Sequence, residues 1–195
     1  MIAVKELQPF LNPIYQVNNL LSNIVPLKSS VQTMLNDTLL WKSTVSGGFQ
    51  TDDLSEVNDK SYFELLSMVG SLVNQIGKSW NIQQDLELIH YWTNIKYDKH
   101  FGVSHLHPNS IISGVFYVTV PFGAGDITFE RPDNQEFCFR VVDPNEYSCK
   151  NFTVESKENM LLLFPSFMKH HIGVNKFQNT KDQRISISFN YGASV

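Results

Sequence analysis

The chain has 195 residues, of which 42% are apolar and 12% aromatic, enough to bury a hydrophobic core in one domain. Fifteen Lys and Arg are scattered among nineteen Asp and Glu, giving a net charge of −4, so no basic patch indicates a nucleic-acid-binding protein. No apolar run approaches the roughly 20 residues that cross a bilayer, and the first residues do not resemble a signal peptide. Cys138 and Cys149 are too few for a disulfide framework. We expect a cytoplasmic protein that binds neither nucleic acid nor membranes.

Residues 1–80 have the pattern of helices and connections. Apolar residues from Leu20 to Leu27 are loosely helical until Pro26 disturbs them, and Ser30 to Leu40 could continue as a second helix. From Phe63 to Ile76 the apolar spacing of three and four predicts an amphipathic helix that Gly77 ends. We expect this part to pack on a sheet formed by the rest of the chain.

From residue 85 the pattern changes to short strands separated by Pro, Gly, Asn and Asp. Many short strands at close spacing predict a sandwich or barrel, such as a jelly roll. The fold class is therefore mainly β with N-terminal helices, in a single domain over 1–195 with its β core at 85–195. The predicted strands are Leu86–Trp92, Ile111–Val120, Gly125–Glu130, Phe137–Val142, Asn151–Glu155, Met160–Phe164 and Arg184–Tyr191.

His105 and His107 are candidate metal ligands. In a strand, residues two apart project from the same face, so both imidazoles would point the same way, and Pro108 would end or bend that strand. Two neutral imidazoles on one face can share a divalent metal. A pair of surface histidines in a loop fits this short motif equally well.

His170 and Arg184 add two further elements. His170 follows an apolar strand and a Pro-Ser turn, where it could supply a third ligand from a distant strand. The segment from Arg184 to Asn190 alternates between polar and apolar residues, so one face is polar. An inward Arg184 would need a carboxylate, which a guanidinium binds through two hydrogen bonds. The alternative is a solvated polar face.

Together these segments resemble the iron(II) and 2-oxoglutarate-dependent oxygenases, in particular a small group found in bacteria and phages. The matching segments span most of the chain in the order typical of that family. They are SGGFQTDDL around residue 50, YWTNIKY at 91–97, HLHPNSIISGVFYVTVP at 105–121, FPSFMKHHIGVN at 164–175 and RISISFN at 184–190.

The resemblance implies a double-stranded β-helix, a form of jelly roll, with iron(II), 2-oxoglutarate as cosubstrate and O2. It implies that His105 is the first metal ligand and His170 the distal one. Arg184 and Ser186 would grip the far carboxylate of 2-oxoglutarate. Tyr117 is similar to the tyrosine that hydrogen-bonds this carboxylate in many members, and Asn94 to an amide near the cosubstrate in some.

His107 departs from the family pattern, because a carboxylate is expected at that position. Three neutral histidines leave an iron(II) centre one negative charge short. His107 could ligate as the third histidine, or stand behind the ligands while water or another anion fills the position. Asp126 and Glu130 are nearby carboxylates, although no spacing rule favours either.

These features predict a dioxygenase that couples decarboxylation of 2-oxoglutarate to oxidation of a substrate C–H bond. The substrate, a small molecule or a protein side chain, is not specified by the sequence, and exposed aromatic residues would permit a homodimer. Two alternatives stay open. One is a cupin-like three-histidine dioxygenase that does not use 2-oxoglutarate, and the other is a non-enzymatic jelly-roll binding or virion-associated module.

Overall fold

The computed structural model describes residues 12–54, 59–132, 142–145 and 148–193. Within these ranges the chain forms eleven strands, a short 3-10 helix at Thr38–Leu40 and two α-helices, α1 (Val25–Met34) and α2 (Lys60–Ser79). None of these described helices combines the length and apolar character needed to cross a membrane. The strands are β1 (Tyr15–Asn18), β2 (Trp41–Ser43), β3 (Phe49–Thr51), β4 (Leu86–Lys96), β5 (Gly102–His105), β6 (Ile112–Thr119), β7 (Ile127–Glu130), β8 (Asn151–Val154), β9 (Met160–Pro165), β10 (His170–Ile172) and β11 (Arg184–Ala193).

The strands form two antiparallel sheets. The large sheet has the order β1-β9-β6-β11-β4-β3-β2, and the small sheet has the order β5-β10-β7-β8. Among the described strands, the chain passes from one sheet to the other six times from β4 onwards, and only β7 and β8 follow each other within one sheet, as expected of a jelly roll. The predicted mainly β architecture with N-terminal helices is confirmed.

The buried side chains form two hydrophobic cores, one between the two sheets and one between the large sheet and the helices. Successive side chains of a strand point to opposite faces, so β6 and β9 supply residues to both cores. The core between the sheets includes Tyr117, Leu162 and Phe164 from the large sheet with Phe129 from the small one. The other core lies between the helices and the outer face of the large sheet, and includes Leu65, Val69, Phe116, Leu161, Ile187 and Phe189.

Helix α2 covers the outer face of the large sheet with one apolar stripe. Asp59 caps it, since its side chain accepts hydrogen bonds from the backbone N–H of Ser61 and Tyr62. The buried residues recur at spacings of three and four, which keeps them on one side of the helix. The Tyr62 hydroxyl lies 3.0 Å from that of Thr93 in β4, which adds a polar contact to this packing.

The predictions for the N-terminal helices need correction at their ends. Pro26 does not disturb a helix over residues 20–27; it lies in the first turn of α1, where its missing N–H has no helical partner to lose. Helix α1 ends at Met34, before Leu40. Gly77 does not end α2, which continues to Ser79, and a Cβ on Gly77 would lie 3.3 Å from Leu86. The absence of a side chain at Gly77 allows helix α2 to pack closely against Leu86.

The strand predictions were most successful where side chains alternate or apolar residues form a run. Six of the predicted strands correspond to β4, β6, β7, β8, β9 and β11. Strands β1, β2 and β3 were missed because each has three or four residues and lies within the part expected to be helical and connecting. The predicted strand Phe137–Val142 lies, except for Val142, outside the described residues, as does Cys138.

Replacing Leu65 by Ala should test the packing of α2. Leu65 is fully buried, so we expect the free energy of unfolding to fall by about 2 to 5 kcal/mol, measured by urea denaturation. Phe63→Ala on the same helix is the control, because Phe63 is 51% exposed and its loss should change stability by only about 0.5 kcal/mol. Equal effects of the two substitutions would contradict this packing.

Candidate metal centre

Three histidines converge where strands β5 and β10 of the small sheet pair. His105 ends β5 and His170 begins β10, and the two face each other in the antiparallel register of these strands. His107 lies beyond the end of β5, where its backbone N–H donates a hydrogen bond to the backbone carbonyl of Ser166 at 3.0 Å. One ring nitrogen from each of the three histidines can be chosen so that all three nitrogens lie within 4.8 Å of one another. The expected strand continuing through His107 is wrong, yet both imidazoles face the same point.

Backbone carbonyls orient two of these rings. The Nδ1 atom of His105 lies 2.8 Å from the carbonyl of Val103, and that of His170 lies 3.0 Å from the carbonyl of Met168. A carbonyl oxygen only accepts, so Nδ1 of each ring carries the proton and donates. Their Nε2 atoms are therefore left with a free electron pair, which is the form that binds a metal.

Burial keeps the inner two imidazoles neutral. It lowers the pKa of His107 to about 3 and that of His170 to about 4, and in both cases the neighbouring His105 imidazole adds to the shift. Metal binding requires the neutral form, so these rings are ready to act as ligands at neutral pH. The exposure of the three rings decreases from His105 through His107 to His170.

Neither candidate carboxylate joins the histidines. Asp126 accepts a hydrogen bond from the backbone N–H of Ser156. Glu130 contacts the Ser104 hydroxyl and lies 3.7 Å from Nδ1 of His171, the neighbour of His170 whose side chain points to the other face of the strand. Among the described residues, the one cluster of His, Cys, Asp or Glu with metal-binding spacing consists of the three histidines.

Arg184 lies buried in the same cavity. It is 1% exposed, which excludes the alternative of a solvated Arg184, and its Nη1 lies 3.5 Å from the Ser186 hydroxyl. Its Nε and Nη2 have no hydrogen-bond partner within the described part of the chain, and neither has the hydroxyl of Tyr117. The guanidinium carbon lies 5.0 Å from the centre of the Tyr117 ring. Unpaired buried donors of this kind suit an anionic ligand.

Strand β4 adds polar groups beside Arg184. In the sheet register, Asn94 pairs with Ser186 and Lys96 pairs with Arg184. The Asn94 amide donates to the Ser188 hydroxyl at 3.1 Å. The ammonium of Lys96 donates to the Ser46 hydroxyl at 3.0 Å and to the Gly47 carbonyl at 2.9 Å. Burial, with a smaller contribution from Arg184, lowers the pKa of Lys96 to about 8.

One cavity of about 340 Å³ contains all of these groups. Apolar side chains of both sheets, including Val115, Ile127 and Phe164, line it, and so do Trp92 and Gln50. Sequence reasoning missed Lys96, although Lys96 stands two residues after Asn94 and therefore on the same face of the strand. The predicted site residues that line the cavity are His105, His107, His170, Arg184, Ser186, Tyr117 and Asn94.

Solved structures with a similar fold include two prolyl hydroxylases and an alpha ketoglutarate dependent carbocyclase. A prolyl-4-hydroxylase from Pseudomonas putida is 12% identical with a TM-score of 0.68, and the match covers 94% of each chain. The non-heme alpha ketoglutarate dependent carbocyclase SnoK from nogalamycin biosynthesis is 12% identical with a TM-score of 0.70, covering 92% of this chain and 79% of SnoK. A viral collagen prolyl hydroxylase from Paramecium bursaria Chlorella virus-1, solved with 2OG, is 10% identical with a TM-score of 0.60. That match covers 93% of this chain and 96% of the hydroxylase. These likenesses confirm the double-stranded β-helix.

Sequence comparison gives the family. No curated protein matches the chain significantly. The family model described as "Putative 2OG-Fe(II) oxygenase" matches residues 90–190, more than half of the chain and the part that contains every predicted site residue. Members of this family use iron(II), 2-oxoglutarate and O2. The chain therefore belongs to the 2OG-Fe(II) oxygenase family.

Proposed function

We propose that this chain binds iron(II) through His105, His107 and His170, binds 2-oxoglutarate through Arg184 and its neighbours, and hydroxylates a C–H bond of its substrate. One observation carries the proposal. A buried guanidinium, with two nitrogens that the described residues leave without a partner, opens into the cavity that contains the three imidazoles. A metal ligand set and a carboxylate receptor in one cavity suit a cosubstrate that must reach both.

The three histidines fit a divalent transition metal. Imidazole is a good ligand for iron and related metals, and a three-point face leaves coordination positions for other ligands. With three neutral rings, the protein leaves the double positive charge of the metal uncompensated within the described cluster. A dianionic cosubstrate supplies that missing charge, so we expect metal and 2-oxoglutarate to strengthen each other's binding.

The other end of the cavity fits the far carboxylate of 2-oxoglutarate. Arg184 presents Nε and Nη2 as a fork that matches the two oxygens of a carboxylate. Ser186 and Tyr117 each add a hydroxyl that can donate to the same group. Lys96 adds a second positive charge beside Arg184, which favours a doubly charged ligand over a neutral one.

When bound, iron(II) supplies the activation of O2 that couples decarboxylation of the cosubstrate to oxidation of the substrate. The protein positions the reacting groups and keeps water away from them. The apolar lining at Val115, Ile127 and Phe164 would exclude water from the reacting groups. The substrate carbon that is oxidised belongs to a small molecule or to a protein side chain.

The absence of a carboxylate from the described histidine cluster favours one competing function. A cupin-like dioxygenase could use the same three histidines and O2 without 2-oxoglutarate. Such an enzyme has no use for a buried guanidinium aimed into the cavity. Oxygen consumption by the iron-loaded protein decides between them, because our proposal requires it to depend on added 2-oxoglutarate and on Arg184.

Replacing His170 by Ala should abolish metal binding. We expect about one iron(II) per chain in the wild-type protein loaded under anaerobic conditions, and almost none in the variant, by elemental analysis after gel filtration. His171→Ala is the matched control, because that side chain points away from the cluster towards Glu130. Full iron content in His170→Ala, or equal loss in His171→Ala, would contradict the proposed ligand set.

Replacing Arg184 by Met should weaken 2-oxoglutarate binding by about a hundredfold, since a buried charge pair is lost. The measurement is calorimetric titration of manganese(II)-loaded protein without O2. The ligand-free variant should be at least as stable as the wild type in thermal unfolding, because an unpaired buried cation has been removed. A mainly structural Arg184 would instead give a lower melting temperature with unchanged affinity.

The metal-free protein should lose stability as the pH falls from about 6.5 towards 4. An unfolded histidine has a pKa of about 6.5, while burial lowers the pKa of His107 to about 3 and that of His170 to about 4. The unfolded chain then takes up protons that the folded chain does not, so the free energy of unfolding falls on acidification. Urea denaturation at several pH values measures this, and His107→Gln should have a shallower dependence. Stability that rises on acidification would contradict the neutral, buried state of these rings.

A further inference from the structure

The ring of His107 has a hydrogen-bond partner unlike those of the other two histidines. Nδ1 of His105 and of His170 face backbone carbonyls, which can only accept. Nδ1 of His107 instead lies 3.4 Å from Nδ2 of the Asn190 side-chain amide. An amide offers either its oxygen or its nitrogen, depending on its orientation about the Cβ–Cγ bond. The proton position on His107 is therefore not imposed by a fixed acceptor.

Asn190 is the centre of a buried polar network. Its Nδ2 lies 3.1 Å from Nε2 of His90, and its Oδ1 accepts from the Ser113 hydroxyl at 2.7 Å. The Ser113 hydroxyl lies 2.8 Å from that of Ser166. Asn190 is 3% exposed, and Ser113 and Ser166 are 1% exposed, so these groups depend on one another for hydrogen bonds.

Every member of this network can both donate and accept, so the network has two arrangements with the same number of hydrogen bonds. The first has the amide orientation of the structure: the Asn190 amide nitrogen donates to Nδ1 of His107, whose proton is then on Nε2, and the Ser113 hydroxyl donates to Oδ1. In the second, Oδ1 faces His107 and accepts from Nδ1–H, while Nδ2 donates to Ser113, which donates to Ser166. His90 changes from acceptor to donor at Nε2.

Only the second arrangement leaves Nε2 of His107 with a free electron pair. A neutral imidazole has one proton and one lone pair on its two nitrogens, so donation from Nδ1 is what frees Nε2 for a metal. We infer that Asn190 is the positioning residue that makes His107 a metal ligand, by presenting Oδ1 to the Nδ1–H of that ring. This inference rests on the proposed function, because it concerns the metal site proposed there.

Aromatic neighbours restrict the rings, so that amide rotation is the simpler way to change the network. His90 stacks on Trp92 with ring centres 5.1 Å apart and planes 21° apart. Trp92 also lies 5.8 Å from the ring centre of His107. Turning either imidazole would break these contacts, whereas the flat amide of Asn190 can exchange its two ends within nearly the same volume.

The first experiment determines the proton positions directly. Histidine labelled with 15N in the wild-type protein, titrated with zinc(II) as a diamagnetic probe, gives the protonation of each ring nitrogen by NMR. We expect His107 to carry its proton on Nδ1 in the zinc form and to bind the metal through Nε2. A zinc-bound protein in which Nδ1 of His107 has no proton would overturn the inference.

The second experiment changes the acceptor. Asn190→Asp presents a fixed carboxylate to Nδ1–H, and should tighten zinc(II) binding by about tenfold, while Asn190→Leu should weaken it by about the same factor. Asn18→Asp controls for added negative charge, because Asn18 is exposed on β1 and contacts Gln16. We expect it to bind zinc like the wild type.

The two experiments distinguish the existence of the metal site from the role of Asn190 in it. A wild-type protein that binds no zinc contradicts the proposed metal site itself. A wild-type protein that binds zinc with the same affinity as both Asn190 variants overturns the role of Asn190 and leaves the metal site intact. If Asn190→Leu does not fold, the protonation of the His107 ring in the wild type and the zinc affinity of Asn190→Asp still test the role of Asn190.

Discussion

Strand β11 lies between β6 and β4 in the large sheet, and its alternation of side chains connects the stability of the fold to the site. Its apolar residues, such as Ile187 and Phe189, pack in the core that includes helix α2. Its polar residues, from Arg184 to Asn190, face the space between the sheets. A buried polar face is unfavourable unless each group finds a partner. Neighbouring side chains satisfy most of this face, and the unpartnered atoms of Arg184 are left for the proposed ligand.

The sequence was most informative where a periodic pattern and chemistry coincide. The alternation that begins at Arg184 indicated a strand with a polar face, and the period of two after Leu86 indicated a second strand. Periodicity alone could not place Lys96 in the site, because its burial depends on β4 pairing with β11. Nor could it identify Asn190 as a neighbour of His107, since the two are far apart in the chain and meet only through the sheet. Pro26 was misread because the same residue that interrupts a helix also suits its first turn.

The charges in the cavity are divided unusually between its two ends. The described histidine cluster contains no carboxylate, while Arg184 and Lys96 are adjacent in the sheet register at the other end. With a divalent metal bound, the whole cavity would carry an excess of positive charge. In the proposed function, the bound anions would therefore supply most of the neutralisation. Such a cavity selects small, doubly charged anions more strongly than one whose metal is already partly neutralised by a carboxylate.

The buried guanidinium also has a consequence for the lifetime of the protein. A ligand that pairs with Arg184 binds the folded chain and not the unfolded one, so it stabilises the fold by about 2.7 kcal/mol at a hundred times its dissociation constant. Proteolysis in cells draws on the small unfolded fraction, which this difference would reduce about a hundredfold. The abundance of the protein should therefore follow the supply of its anionic ligand, so that the cell keeps more of it when that ligand is plentiful.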